Sequence, residues 1–435
     1  MTIMTTLAPA MTNANWWWLA AAIALVLGTS VALAVDLAIG TLVVLVALPL
    51  LARAPHPAER LVGLYWFAFA VYSIVFHGLV IRFGFYPFYL AFLVGIAITL
   101  VRGGLRVDRT VAWLYLSFML IVAVSFISFG NAVDSGVVQR LLAYVIGALV
   151  FLQFRSTAGL RPVTGAAILT SVVIASFVIY NAVETDFAYR ASLASNPNTT
   201  AQVVAFGAVV AIALLVDRLG VPGYQRQRLL LALLLAIMLY AAMLLASRGM
   251  VIALLAATTA ILFRAIVTDW RKSRVFIVIG VVAAVALSLP GGQSLIDRFT
   301  APDEHVESAG SRIPIWEVTI DSLTTSSVPQ LVIGHGFDSS KPIVERHFTG
   351  LTSVHNTYLQ IMYEFGLLGL LLHAALLSYL AWRGWSTPGR YGLIILGLTW
   401  LLIVVNLSGD VADTFHYWIV LGYVAAIVRW TQPDP

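Results

Sequence analysis

Cysteine is absent from all 435 residues, so disulfides and thiolate metal sites are excluded. Charge is scarce as well. Asp, Glu, Lys and Arg make up 10% of the chain, where a soluble domain carries about a quarter. There is no P-loop, dinucleotide fingerprint, zincin helix or D-x-D pair. A nucleotide-fed or metal-dependent mechanism therefore has no support in the sequence, and neither cofactor nor metal ligand is assigned. The acidic tract Asp303-Glu304-His305 is read as loop polarity, not as a divalent site. The formal net charge of +5 comes mostly from loop arginines and is not a nucleic-acid signal. A basic n-region and a clear cleavage site are also lacking at the N-terminus. Trp16, Trp17 and Trp18 resemble an interfacial belt at the start of a first span, so no cleaved signal peptide is expected.

What the chain does have is apolar surface, at 60% of residues. Runs near the bilayer-spanning length of about 20 residues recur along it. They fall near 16–33, 36–52, 61–81, 85–101, 110–129, 137–154, 163–182, 200–216, 229–246, 249–267, 275–290, 355–381, 391–407 and 411–428. The first two are tightly joined and 85–101 is short, so 12–14 transmembrane helices are expected. Backbone groups in lipid must be satisfied internally, which makes this an all-α polytopic membrane protein. The expected division is an N-terminal bundle at 1–290, one large polar loop at 291–354 and C-terminal helices at 355–435.

Lys and Arg set the orientation. One set of loops holds most of the 25 basic residues and is assigned to the cytoplasm, with both termini. The opposite side holds Arg82, Arg140, Arg190, Arg248, Arg298, Arg312, Lys341 and Arg346. These run against the topology bias. A phosphate-bearing substrate on the outer side explains several at once; snorkelling to lipid headgroups is the bland alternative.

Six polar motifs lie at the outward ends of spans or in the outer loop. Ser247-Arg248-Gly249 forms a tight turn between two apolar runs. An ionised group so close to hydrocarbon is costly, and Arg binds phosphate bidentately. The alternative is an arginine on lipid phosphate or a helix carbonyl. SAGSRIPIWEVTIDSL (308–323) reads as a short amphipathic helix in the outer loop, with Ser311 as its cap. Its face of Ile313, Trp316 and Ile320 lies on the membrane or on the protein body, with Arg312 at the rim. An ion pair with Glu317 or Asp321 competes for Arg312. His335 sits between glycines in GHG, either as a binding residue or as a loop histidine without chemistry.

HNTYLQIMYEFGLLG (355–369) is the strongest signal. His355 stands at the rim of a span, where an imidazole titrates near neutrality and can take a proton from a sugar hydroxyl. Asn356 either caps the helix or orients the ring, and Tyr358 lies one turn on. Glu364 falls about 13 Å into a straight helix and is expected to pair inside the bundle. At 195–202, Asn198 or Thr199 is a candidate cap for the following helix. Asp410 and Asp413 lie in the last outward turn, as partners of the site or as solvated acids.

Together, NPN at 196–198, SRG at 247–249, GSRIPIWE at 310–317, GHG at 334–336, HNTYL at 355–359 with E-x-G-x-x-G, and Asp410 resemble the O-antigen ligase and O-antigen polymerase superfamily. The resemblance covers roughly 190–415. These are bacterial envelope glycosyltransferases of the C-type membrane fold, here with one large periplasmic loop. It implies a polysaccharide donor on undecaprenyl pyrophosphate and, for a ligase, a lipid A–core acceptor. Membrane lipids surround the protein and no nucleic acid takes part. It implies His355 as general base or acceptor-orienting group, and Arg248 and Arg312 as holders of the leaving diphosphate. Arg190, Asn356, Tyr358, His335 and Asp410 follow as substrate-binding residues. Attack inverts the anomeric carbon, without metal or nucleotide. The implied place is the bacterial inner membrane, with the active site periplasmic. The single outer loop and compact length lean towards the ligase. The polymerase and a protein O-oligosaccharyltransferase are its rivals within the set, and a transporter without chemistry is the rival from another class.

Overall fold

The computed structural model describes residues 108–129, 140–141, 144–145, 157–185, 197–219, 221–289, 292, 296, 312–348, 353–409 and 414–431. The expected spans before residue 108 lie outside the described residues, as does that near 137–154 apart from residues 140–141 and 144–145, and as do Arg82, Arg190, Arg298, Ser311, Asp410 and Asp413. Among the described residues the regular structure is wholly helical.

Each expected apolar run from 110 onward that is described forms a helix. They are α1 (Arg109–Phe129), α2 (Thr157–Glu184), α3 (Pro197–Arg218), α4 (Gln225–Leu244), α5 (Arg248–Thr268) and α6 (Arg274–Ser288). After them come three short helices of the polar segment: α7 (Arg312–Thr324), α8 (Val328–Ile333) and α9 (Ser340–His347). Last are α10 (Thr357–Ser386), α11 (Gly389–Val405) and α12 (Phe415–Trp430). Six of these are long and apolar enough to cross a membrane, which makes the chain an all-α polytopic membrane protein.

The helix α3 is the axis of the bundle and is almost wholly buried. Its sequence is rich in Ala and Val, with Gly207 close against Ser171. In lipid the hydrophobic effect does not drive helices together, so small residues that permit close approach do more of the work. By contrast, α1 turns Trp113, Leu116, Leu120 and Ile127 outward, as a lipid-facing helix does. Around α3, α11 packs against α5 and α10, and α10 against α1. At one end of the bundle the guanidinium of Arg264 donates to the Thr387 carbonyl. At that same end the Tyr379 hydroxyl donates to Asp108 at 3.1 Å.

The apolar run 355–381 is not one straight helix. Within α10, Gly366 has φ +67° and ψ −170°, which breaks the helical path. The rings of Tyr358 and His373 lie 6.2 Å apart. In a straight helix, 15 residues would separate them by about 22 Å. The chain therefore reverses at Gly366. A short limb, 357–365, climbs away from the bundle's centre, and a long limb, 367–386, descends through it. This corrects the expected depth of Glu364, which sits beside the reversal and not along a continuous descent.

Candidate active site at the recessed end of the bundle

The short limb of α10 has a companion in α7. Trp316 Nε1 donates to the Val354 carbonyl at 3.0 Å. Six residues later, the Ser322 and Tyr363 hydroxyls are 3.3 Å apart. The two helices therefore run side by side in the same direction. Ile315, Val344 and Val354 form a small core between them, flanked by Leu359 and Phe348. Arg312 opens α7 one turn before Trp316, on the same face. The face buried against the protein is Ile315, Thr319 and Leu323. Of the two surfaces considered for Ile313 and Ile320, the protein body is therefore excluded, since both are exposed.

The turns expected to border the outer surface meet at one place. Ser247 donates to Asn198 Oδ1 at 2.9 Å, joining the SRG turn to the NPN motif. Thr357 N donates to the Asn406 carbonyl at 2.9 Å. Thr357 Oγ1 donates to the Gly409 carbonyl at 2.8 Å. Between these, Ser408 lies directly over Gly249. A chain of contacts thus runs from Asn198 through Ser247 and Gly249 to the 406–409 turn, and on to Thr357, two residues from His355.

From this junction α3 and α5 run one way, towards the Arg264 end. The short limb of α10 and its companion α7 run the other way. The N-termini of α3, α5 and α10 meet head to head, and α7 begins one turn before Trp316, which bonds Val354. Each N-terminus carries roughly half a positive charge from the peptide dipoles; at α10 the first N–H groups are taken by Asn406 and Asn356, so that end offers an anion its dipole and no N–H. Arg248 and Arg312 are the first residues of two of those helices.

Asn356 is the cap of α10: its side-chain oxygen accepts from Tyr358 N at 3.0 Å and Leu359 N at 3.1 Å. Of the two roles considered, the structure gives it capping. Asn198 is not a cap, since α3 begins at Pro197 and the Asn198 side chain accepts from Ser247. The Tyr358 hydroxyl donates to the Ile403 carbonyl at 2.9 Å, which ties α10 to α11. His355 is half-buried, with Ser353 Oγ 3.3 Å from its Nδ1. Its φ of +55° is in the left-handed region, and Ala246, two residues before Arg248, has φ +46°. Non-glycine residues held there cost about 1–3 kcal/mol and gather at functional sites.

His335 is placed elsewhere. Its ring stacks on Tyr363 with centroids 4.1 Å apart and 2° between planes. Nδ1 is 3.1 Å from the Tyr363 carbonyl and Nε2 is 2.8 Å from Ser326 Oγ. A carbonyl only accepts, so Nδ1 carries the proton; the one hydroxyl proton of Ser326 is shared between Nε2 and the Ser322 carbonyl at 2.7 Å. Burial pushes the imidazole below its usual range, and the bond to Tyr363 opposes this. The GHG turn is a buttress of the reversal. Gly334 (φ +88°) would place a Cβ 2.1 Å from the Glu364 carbonyl oxygen. Gly366 would place one 2.4 Å from Val332. Each glycine admits the backbone of the other's strand of chain.

Glu364 pairs inside the protein, as expected. Arg140 reaches it at 3.0 Å and also pairs with Asp338. Ser340 donates to Glu364 at 2.5 Å. Arg140 was grouped with the outward arginines that a phosphate would explain. Two carboxylates explain it instead. Sequence reasoning missed Ser353, Trp316, Asn406 and Ser408, whose contacts fix the site. The one signal was that 406–409 ends a span on the same side as His355.

Residues 233–374 match the model of the O-antigen ligase family. That stretch contains Arg248, Arg312, His335, His355 and Tyr358. A chain of a solved peptidoglycan synthase complex, from a study of how polymerization and crosslinking are structurally coordinated, is similar at 16% identity and TM-score 0.43. The likeness covers 76% of this chain and 100% of that one. No curated protein matches. The family match covers about a third of the chain and supports a place for it in the O-antigen ligase and polymerase superfamily.

Proposed function

We propose that the chain transfers polysaccharide from undecaprenyl pyrophosphate to a sugar hydroxyl of lipid A–core. The proposed place is the periplasmic face of a bacterial inner membrane. The observation that carries this reading is the meeting of the N-termini of α3, α5 and α10 at the turn that holds His355, with Arg248 opening α5 and Arg312 opening α7 one turn before Trp316, which bonds Val354. The opposite end carries Arg109, Arg218, Arg264, Arg383 and Arg390, the sign expected of a cytoplasmic side.

In this reading the diphosphate lies among the helix N-termini, with Arg248 and Arg312 on its oxygens. His355 faces the acceptor. The acceptor hydroxyl gives its proton to the imidazole as its oxygen attacks the anomeric carbon. The bond from that carbon to the phosphate oxygen breaks, and the electron pair leaves with the diphosphate. Attack from the opposite face inverts the configuration. Charge grows on the leaving group in the transition state, so fixed guanidiniums and dipoles stabilise it more than the ground state. Asn356 and Tyr358 shape the site through the backbone bonds they hold. Arg190 and Asp410 stay in the proposal as further substrate-binding residues.

The test is transfer in vitro from lipid-linked polysaccharide to purified lipid A–core, with chelator present and no gradient imposed. Product supports a ligase and excludes a pure transporter. No product with active protein of the same preparation on a second lipid-linked glycan assigns a polymerase instead. In cells, deletion distinguishes the same pair. A bare core with polymer on the carrier lipid means ligase; core plus one repeat means polymerase.

A further inference from the structure

Gly249 stands in the first turn of α5, where glycine costs up to about 1 kcal/mol relative to alanine. Space explains it. A Cβ at 249 would sit 2.1 Å from Ser408 Oγ and 2.8 Å from Ser408 Cβ. Both distances are far below van der Waals contact, and no backbone strain is involved. The SRG turn therefore touches the 406–409 turn as closely as the chain allows.

The 406–409 turn holds the other side as well. Its Asn406 and Gly409 carbonyls take both polar groups of Thr357, the backbone N–H and the hydroxyl. It is thus a single piece of backbone in contact with both the Arg248 turn and the His355 turn. From below it is anchored by its own side chain. Asn406 Nδ2 is 3.1 Å from the Tyr417 hydroxyl and 3.3 Å from His373 Nε2. Tyr417 is itself 2.9 Å from that nitrogen. All three groups are buried. Such a buried polar network resists sliding, because displaced members lose partners where no water replaces them.

We propose that the 406–409 turn is a spacer that sets the separation between the Arg248 turn and the His355 turn, with Ser408 over Gly249 as its contact and Asn406 as its anchor. The proposal rests on the functional reading above, in which those two residues act on donor and acceptor. Ser408 and Asn406 are positioning residues; neither is assigned a contact with substrate. A spacer of this kind makes the relative placement of two reacting groups depend on one methyl-sized gap.

The experiment is a cycle of Gly249→Ala, Ser408→Gly and the double variant, read in two ways. The first reading is thermal unfolding of purified full-length protein, which needs no activity. Gly249→Ala lowers the midpoint, and Ser408→Gly in the same chain restores it by removing the atoms the methyl meets. The second reading is transfer kinetics. Gly249→Ala lowers kcat by about ten- to a hundredfold, as expected for a displacement near 1 Å, with the KM for donor nearly unchanged. Ser408→Gly alone, which removes the contact without forcing the turns apart, lowers kcat by a smaller factor than Gly249→Ala, and the double variant returns to the level of Ser408→Gly. A Gly249→Ala protein with wild-type kcat overturns the proposal. So does a loss that Ser408→Gly does not relieve, or a loss confined to KM. If the wild-type chain shows no transfer at all, the functional reading fails. The unfolding cycle then still decides whether the contact is tight.

Discussion

Two histidine-bearing turns, at 334–336 and 353–357, look alike in the sequence and differ in the folded chain. Both lie beside glycine or small polar residues, and both precede or buttress the same helix. At 335 the imidazole is stacked on Tyr363 and both ring nitrogens are bonded within the protein. At 355 the residue is half-buried and left-handed in φ, with Ser353 at the long distance of 3.3 Å. The first histidine completes a structure, whereas the second is held in a costly conformation beside the meeting point of the N-termini of α3, α5 and α10.

That contrast is open to attack at its strongest point first. His355→Ala is expected to lower transfer by about 10²–10⁴-fold, the range for loss of a general base. Its unfolding midpoint should stay near wild type; a variant that transfers normally sinks the assignment. Next, Arg312→Ala and Arg248→Ala should each cost about 10²–10³-fold in kcat, as loss of a transition-state charge partner does. In both, Lys should restore part of the rate, and rate assays with each variant check this.

The other turn should fail differently. Gly366→Ala meets both a left-handed φ and the Val332 backbone. A loss of at least about 1–3 kcal/mol in stability is expected, measurable by chemical or thermal unfolding. The smallest effect concerns His335→Gln, at about 1–2 kcal/mol for a partly replaced hydrogen-bond set, with kcat of the folded protein little changed. A pH series sharpens this last case. Burial lowers the His335 pKa in the fold, so the folded state binds fewer protons than the unfolded chain. Its stabilising share is complete above the unfolded value of about 6.5 and is lost as pH falls below it. The stability gap between wild type and His335→Gln should narrow over that interval. A gap that widens on acidification contradicts the buried neutral ring.

The helices from residue 109 onward were legible because apolar run length is a direct record of bilayer thickness. The ends of those runs placed Asn198, Arg248, His355 and Asn406 on one side by simple alternation. The reversal at Gly366 was not legible. Hydropathy is blind to direction, and the run 355–381 continues without a break across the point where the path turns back. Nor was the Arg140–Glu364 pair, whose members are 224 residues apart in the chain. On α7, a spacing of Ile313, Trp316 and Ile320 suggested one apolar face, but the protein side is Ile315, Thr319 and Leu323. A short helix with apolar residues all round leaves the choice of face to its neighbours.

The hold of Asn406 and Gly409 on Thr357 has a consequence for biosynthesis. The ribosome makes the His355 segment about 50 residues before the turn that fixes it. Until α11 has been translated and inserted, nothing from that turn grips the start of α10. A nascent chain halted after residue 386 would carry every arginine and histidine of the proposed machinery, yet would lack the splint between them. In the proposed reading, assembly of the site therefore waits on the arrival of α11, after Arg248, Arg312 and His355 have all been made.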